Sequence, residues 1–166
     1  DTIFTSVGKP NPDVCTIRIV GEQGQTLDTG EVGEILARGP ISPMQYVNAP
    51  ELDAKYRDSE GWVYTGDLGL IDAHGNLVLA GRKKDIIIRS GENISPKEVE
   101  DLLGTHPAVA EVAIVAMPSA ATGEKGCAFI IARGGQTIDL AEIRRFLDAE
   151  GLARQKFPEH VVLVED

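Results

Sequence analysis

The order of apolar and polar positions divides the chain into two regions with different patterns. Before about residue 80, short apolar segments alternate with turn signals, and apolar side chains occupy every second position at 15–20. Such alternation is typical of a β-strand with one buried face. A second segment, 30–40, is bounded by glycines and a proline, and Pro50 begins a predicted short helix. The first region is therefore predicted to be β-rich.

The end of this first region predicts a β-hairpin. Apolar segments at 68–72 and 77–80 flank the tetrapeptide 73–76, whose Gly75 suits a tight turn. The predicted strands of the region are few and have little helical cover. We therefore expect them to form the last layer of a larger domain.

The second region, from Asp85 onward, combines helix and strand patterns. Two segments, 95–98 and 139–142, place a capping side chain three residues before a glutamate, which predicts the start of a helix. An apolar stripe follows each of them. Three strands are predicted at 112–117, 127–132 and 161–164. The predicted fold class is therefore α+β, with a β-rich part followed by a small domain whose three-stranded sheet is packed by helices.

A charged segment separates the two regions. Arg82-Lys83-Lys84-Asp85 follows one apolar segment, 77–80, and precedes another, 86–88. Such charges are not buried in a dry core without paired partners. The segment is therefore predicted to be a seam between two packed units, whose side chains stay solvated or contact a ligand. On these residues alone, an ordinary solvated linker is the favoured interpretation.

The charge of the chain excludes one class of function. The 166 residues contain 16 Lys and Arg against 26 Asp and Glu, which gives a net charge of −10. A nucleic-acid partner requires a basic face, so none is predicted. The longest uncharged apolar run, 112–117, is far too short to cross a bilayer, so no transmembrane segment is predicted.

The cysteines and histidines favour a protein without disulfides or a metal site. Cys15 and Cys127 are far apart, and each lies among apolar residues, so we expect two buried free thiols in a reducing compartment, with a cytoplasmic location. A single disulfide between them is the alternative. His74, His106 and His160 share no metal-ligand spacing, so no metal-binding residue is predicted.

Two short motifs carry candidate binding chemistry. Asp67 follows Gly66 at the mouth of a predicted strand, and its carboxylate can accept hydrogen bonds from the two hydroxyls of a ribose. Gly91 precedes the capped helix and permits a positive φ with exposed backbone N–H groups. Taken singly, each motif is better explained as an ordinary turn.

The order of the motifs is more specific than its parts. Gly30-Glu31-Val32-Gly33-Glu34, Tyr64-Thr65-Gly66-Asp67, Gly81-Arg82-Lys83-Lys84-Asp85 and the segment 91–100 follow one another. In the order of these motifs, the chain resembles the C-terminal third of members of the adenylate-forming superfamily. The resemblance covers essentially the whole length of the chain. That superfamily comprises acyl-CoA synthetases, nonribosomal peptide synthetase adenylation domains and luciferases. The segment 83–96 looks most like bacterial fatty-acyl or aryl-acid CoA synthetases.

The resemblance implies a domain organisation. Residues 1–81 correspond to the C-terminal β-rich part of the large adenylating domain, a small distorted barrel. Residues 82–85 correspond to a hinge, with Lys84 at the pivot. Residues 86–166 correspond to a small mobile C-terminal domain, and the family's late catalytic lysine lies beyond Asp166. We therefore expect that the chain is a piece of a longer polypeptide. We expect no catalytic residue within the chain itself.

The resemblance also implies roles for individual residues. Asp67 matches the aspartate that holds the ribose hydroxyls of ATP, and Arg82 matches the arginine that contacts the ribose and phosphate region of the adenylate. Ser90, Gly91 and Glu92 fall on the loop that lines the tunnel for the pantetheine of coenzyme A (CoA).

The implied reaction has two steps. A carboxylic acid, expected to be a fatty acid, attacks the α-phosphate of ATP in the presence of Mg²⁺ to give acyl-AMP and pyrophosphate. The thiol of CoA then displaces AMP. The chain is expected to pack against a missing N-terminal domain and to be inactive alone. Two alternatives remain open: an adenylation domain that serves a carrier protein, and a non-catalytic adenylate-binding module.

Overall fold

The structure is a computed structural model that describes residues 6–43 and 45–165. The chain divides into two compact units, residues 1–83 and 84–166. Residues 1–5 and 166, at the two ends of the given sequence, lie outside the described residues.

The first unit contains a four-stranded antiparallel sheet. Its strands are β1 (Thr16–Val20), β2 (Gly33–Arg38), β3 (Val63–Ile71) and β4 (Leu77–Arg82), in the spatial order β1-β2-β3-β4. Neighbours in the chain are therefore neighbours in the sheet. Helix α1 (Pro50–Tyr56) lies between β2 and β3 in the chain and begins at the predicted proline.

The buried cluster of this unit is small. Val20, Leu36 and Trp62 form it, and Tyr64 packs against it. The guanidinium carbons of Arg18 and Arg38 lie 4.5 and 4.6 Å from the centroid of the Trp62 ring. Cations at this distance are attracted to the face of an indole ring. Trp62 is thus held by apolar contact and by two cations.

The predicted hairpin connects β3 and β4. The Asp72 carboxylate accepts hydrogen bonds from the backbone N–H groups of His74 and Asn76, both at 2.8 Å, and from the Asn76 side chain at 2.9 Å. These bonds hold the pKa of Asp72 below its ordinary value, the Asn76 side chain having the largest effect. Gly75 has a φ of 81°, as the loop requires.

The second unit combines five strands with two helices. In chain order these are β5 (Ile87–Arg89), β6 (Glu92–Ile94), α2 (Pro96–Leu103), β7 (Val109–Ser119), β8 (Gly123–Ala132), α3 (Leu140–Ala149) and β9 (His160–Leu163). Strand β8 pairs antiparallel with β7 along one edge. Along its other edge it pairs with β5 at its start and, in parallel, with β9 further on.

The larger core lies in this second unit. It joins side chains of both helices and of the sheet, and twelve buried residues of the described chain form it: Ile87, Ile94, Val99, Leu103, Val109, Ile114, Ala128, Ile130, Ile138, Ile143, Leu147 and Leu152. The α+β fold class is confirmed. The three predicted strands correspond to β7, β8 and β9, and the short β5–β6 hairpin extends their sheet.

The two helices of this unit begin differently. The Asp139 carboxylate accepts a hydrogen bond of 2.8 Å from the backbone N–H of Glu142, so α3 has the predicted cap. Ser95 occupies the corresponding position before α2, but among the described residues its side chain makes no capping bond to that helix. The Ser95 side-chain bond of the predicted capping box is therefore not formed, and α2 begins with Pro96, whose fixed φ suits a first helical turn.

Both cysteines are free thiols, but the prediction that both are buried is wrong for Cys15, which directly precedes β1 and is half-buried. Cys127 is buried in β8, and burial raises the pKa of its thiol because the charged form loses hydration. None of the helices in the described ranges has the length and apolar character needed to cross a bilayer.

Candidate functional site

Asp67 and Arg82 form a cross-strand pair in the first unit. They are register partners on β3 and β4, and the Arg82 Nε lies 3.2 Å from an Asp67 carboxylate oxygen. Their side chains are 39 % and 59 % exposed, so both can contact a ligand from solvent. The structure therefore brings together the two residues that the sequence predicts to bind nucleotide.

The backbone around Asp67 is fixed by its neighbours. The Thr65 hydroxyl donates a hydrogen bond of 2.8 Å to the carbonyl of Ile35 and accepts one of 3.1 Å from the backbone N–H of Asp67. Gly66 has a φ of 76°, and a Cβ added there would meet no atom within 4 Å. A bulge follows between Leu68 and Gly69. The irregular backbone turns the carboxylate toward the end of β4.

The charged seam contains one anchored lysine and one exposed lysine. A single 3-10 turn spans Lys83–Asp85. The Lys83 Nζ lies 2.7 Å from a carboxylate oxygen of Glu34, whose side chain is only 11 % exposed. Lys84 is exposed and is the first residue of the second unit. The division between the units thus falls inside the tetrapeptide predicted to be a hinge.

Ser90 and Gly91 form the two-residue turn of the β5–β6 hairpin. Arg89 pairs with Glu92 across it, and Ser90 and Gly91 have φ values of 51° and 85°. Two successive positive φ angles are typical of a type I′ turn. The Ser90 N–H donates a hydrogen bond of 2.8 Å to the carbonyl of Thr122, which offsets part of the cost of left-handed backbone at a non-glycine residue.

The site residues therefore form two groups. Asp67 and Arg82 belong to the first unit, and Ser90, Gly91 and Glu92 belong to the second. In the second group, all three residues are exposed.

Comparison with known proteins decides the family. Residues 98–166 match the family described as AMP-binding enzyme C-terminal domain. The medium-chain fatty-acid–CoA ligase of Escherichia coli (strain K12) is 42% identical over 150 residues, which are 90% of this chain and 26% of that protein. The pseudomonine synthase PmsE of Pseudomonas entomophila (strain L48) is 41% identical over 99% of this chain and 27% of its own length. The chain belongs to the adenylate-forming superfamily.

Solved structures of the superfamily share the fold. The ATP-bound crystal structure of MatB from Rhodopseudomonas palustris matches with a TM-score of 0.90 and 36% identity, over 98% of this chain and 32% of that one. The apo crystal structure of the same protein matches with a TM-score of 0.74 and 35% identity, over 100% of this chain and 33% of that one. The chain thus spans about a third or less of the length of these superfamily members, aligning with their C-terminal part.

Two ionic contacts beside the site residues were not predicted from the sequence. Lys83 pairs with Glu34, which is 49 positions away. Arg89, directly before the hairpin turn, has its Nε 2.6 Å from a carboxylate oxygen of Glu159, which is 70 positions away. Glu34 ends the first of the ordered motifs, 30–34, and Arg89 lies in the segment 83–96 that resembles CoA synthetases. These stretches were a signal, but spacing alone does not identify either partner.

Proposed function

We propose that the polypeptide carrying this chain activates a carboxylic acid with ATP as an acyl adenylate and then transfers the acyl group to the thiol of CoA. The Asp67–Arg82 pair carries this proposal, because it joins an acceptor for ribose hydroxyls to a donor for phosphate oxygens within 3.2 Å. The similarity to a medium-chain fatty-acid–CoA ligase supports a fatty acid as the substrate.

The chemistry of the pair suits a nucleotide. The exposed Asp67 carboxylate can accept hydrogen bonds from a ribose diol. Arg82 directs its Nε toward Asp67 and retains further N–H donors for the adenylate phosphate. Mg²⁺ would accompany ATP and neutralise its phosphates. We assign no residue of the described ranges to that ion, because no cluster of three His, Cys, Asp or Glu side chains forms there.

Lys84 is proposed as the pivot between the two half-reactions. It is exposed and follows directly on Lys83, which the Glu34 carboxylate anchors to the first unit. A fixed residue next to a solvated one suits a hinge, since only a few backbone angles need to change.

The hairpin turn is proposed to contact the pantetheine arm of CoA. Gly91 has a φ of 85°, and a Cβ added there would meet no atom within 4 Å. Glycine therefore satisfies the turn and leaves room for a ligand to approach the backbone closely. Ser90 and Glu92 add a hydroxyl and a carboxylate at the same exposed turn.

Transfer to the thiol of a carrier protein is a second candidate function. The similarity to a pseudomonine synthase favours it, because the relatives are not all CoA ligases. Both candidates share the adenylation step and differ in the acceptor. The chain alone is proposed to be inactive, since catalysis of this kind depends on a complete site that positions both reactants.

Asp67→Asn tests the adenylation step. The variant is made in the longer polypeptide that carries the adenylating domain, and pyrophosphate exchange into ATP is measured with a fatty acid. Loss of charge-assisted hydrogen bonds is expected to raise the KM for ATP about tenfold to a hundredfold. Asp72→Asn, in the hairpin loop that begins directly after β3, is the matched control and should leave that KM unchanged. An unaltered KM in Asp67→Asn contradicts the proposed role, and a wild-type protein without exchange contradicts the enzyme assignment.

A further inference from the structure

Strand β7 lies at an edge of the sheet in the second unit. It is eleven residues long and pairs with β8 along one side. Within the described part of this unit, no strand pairs with its outer side. Such an edge presents a row of backbone N–H and C=O groups to which a strand of another molecule can pair. A long edge strand therefore carries a risk of association between molecules.

The sequence of β7 increases that risk. Its central run, 112–117, consists of apolar residues and contains neither a charge nor a proline. Segments of about six residues with these properties favour pairing between chains. Val115, within the run, is 42% exposed. A second copy of the chain brings the same run, and two such edges can pair antiparallel about a twofold axis.

The hydrogen bonds of β8 show which groups of β7 face outward. The carbonyls of Gly126 and Ile130 each accept a bond of 2.9 Å from residues next to the two ends of β9, so both face away from β7. Their register partners are Ala116 and Val112. In an antiparallel pair, opposed residues direct their backbone groups either toward each other or away from each other. The N–H groups of Val112 and Ala116, and by alternation that of Ile114, therefore face outward.

Glu100 occupies the middle one of these donors. Its carboxylate Oε1 accepts a hydrogen bond of 2.8 Å from the backbone N–H of Ile114. Glu100 lies on α2, next to the buried Val99, and is itself half-buried. An incoming strand would have to displace this bond and leave a half-buried carboxylate without its donor, which is costly.

Pro118 removes a further donor from the same edge. Its register partner is Glu124, two residues before Gly126 on β8, so the Pro118 nitrogen also faces outward. Proline has no N–H and occurs within sheets mainly on edge strands. The outer side of β7 thus has one donor occupied and, four residues further on, one donor missing.

We propose that Glu100 is a gatekeeper that prevents β7 from pairing edge to edge with a second copy of the chain. Glu100 blocks the centre of the uncharged run, and Pro118 limits pairing at its end. This role concerns association between molecules and does not depend on the proposed acyl-transfer chemistry. A bond that only fastened α2 to β7 would affect stability and leave the association state unchanged.

Glu100→Ala in the longer polypeptide that carries the chain tests the proposal. Alanine favours a helix, so α2 is retained while the Ile114 N–H loses its acceptor. Sedimentation velocity over a range of protein concentrations should show a mass that rises to about twice that of the wild type. Glu100→Gln is the matched control, because its amide oxygen can still accept the bond, and it should keep the wild-type mass.

A second substitution separates edge pairing from other causes of association. Val115→Lys, added to Glu100→Ala, should restore the wild-type mass, because a lysine on an edge strand opposes pairing. The proposal is overturned if Glu100→Ala keeps the wild-type mass at every concentration, which would leave Glu100 only a stabilising contact. It is also overturned if the association persists after Val115→Lys, because the contact would then lie outside β7. Pyrophosphate exchange by these variants is a separate readout, so failure here is distinct from failure of the adenylation step.

Discussion

The two units differ in the interactions that stabilise each of them. Among the residues that the structure describes, the second unit buries a twelve-residue apolar core between its sheet and helices, whereas the buried cluster of the first unit consists of Val20, Leu36 and Trp62. The guanidinium groups of Arg18 and Arg38 over the Trp62 ring supplement that smaller cluster. Dry apolar burial dominates stability in the second unit. Strand pairing and partly exposed ionic contacts contribute a larger share of the stability of the first unit. Such ionic contacts stabilise a protein less than apolar burial does.

The largest expected effect is a selective loss of stability in the second unit. Ile143 is fully buried, and Ile143→Ala should lower the free energy of unfolding of this unit by about 2–5 kcal/mol through lost burial and a cavity. Urea unfolding is followed by far-UV circular dichroism, which reports mainly α2 and α3, and by the fluorescence of Trp62, the single tryptophan. Only the dichroism transition should shift.

Val115→Ala is the matched control for that measurement. Val115 is 42% exposed on β7 in the same unit, so its truncation should change stability by less than about 0.5 kcal/mol. If Ile143→Ala shifts the fluorescence and dichroism transitions together, the two units do not have separate stabilities.

A smaller effect is expected at the start of α3. Asp139→Ala removes the side-chain acceptor for the Glu142 N–H and should destabilise the second unit by about 1 kcal/mol. The measurement is again the dichroism transition in urea. Gln136→Ala, in the exposed segment before the cap, should have no comparable effect. Equal shifts from the two substitutions would contradict the capping role.

The sequence predicted the features that depend on local patterns. Period-two alternation identified β1, the glycine loop identified the β3–β4 hairpin, and Asp139 identified the start of α3, because each depends on residues close together in the chain. The domain bounds and the hinge role of the charged tetrapeptide stay predictions, and the two compact units divide between Lys83 and Lys84.

Features that depend on distant residues were not predicted. The Lys83–Glu34 pair joins residues 49 positions apart, and the Arg89–Glu159 pair joins residues 70 positions apart. Strand pairing and helix packing bring these side chains together, and neither is written in local spacing. The apolar segment 86–88 overlaps β5, but the hairpin partner β6 is only three residues long and polar at two of them, so no apolar pattern marks it.

The smallest expected effect is electrostatic and confined to the first unit. The folded-state pKa of Asp72 is depressed, so its contribution to stability is present above the unfolded pKa of about 3.9 and is lost as the pH falls through the folded value. Asn76→Ala removes the side-chain hydrogen bond that lowers the Asp72 pKa most. The substitution should therefore raise this pKa, which NMR of the carboxyl carbon can follow. Asp148, whose pKa is lowered by Arg154, should titrate unchanged. An unmoved Asp72 pKa would contradict the assignment to Asn76.

The central claim is that Lys84 is the pivot of a two-step enzyme, and Lys84→Pro in the longer polypeptide tests it most directly. Proline fixes φ near −65°, so a residue that must change conformation between steps can support only one of them. Single-turnover rates are measured for acyl-AMP formation and for its consumption by CoA, with Lys84→Ala as the flexible control. We predict that Lys84→Pro slows one half-reaction at least about tenfold and leaves the other near that of Lys84→Ala. If Lys84→Pro matches Lys84→Ala in both half-reactions, or slows both half-reactions to the same extent, the account is contradicted.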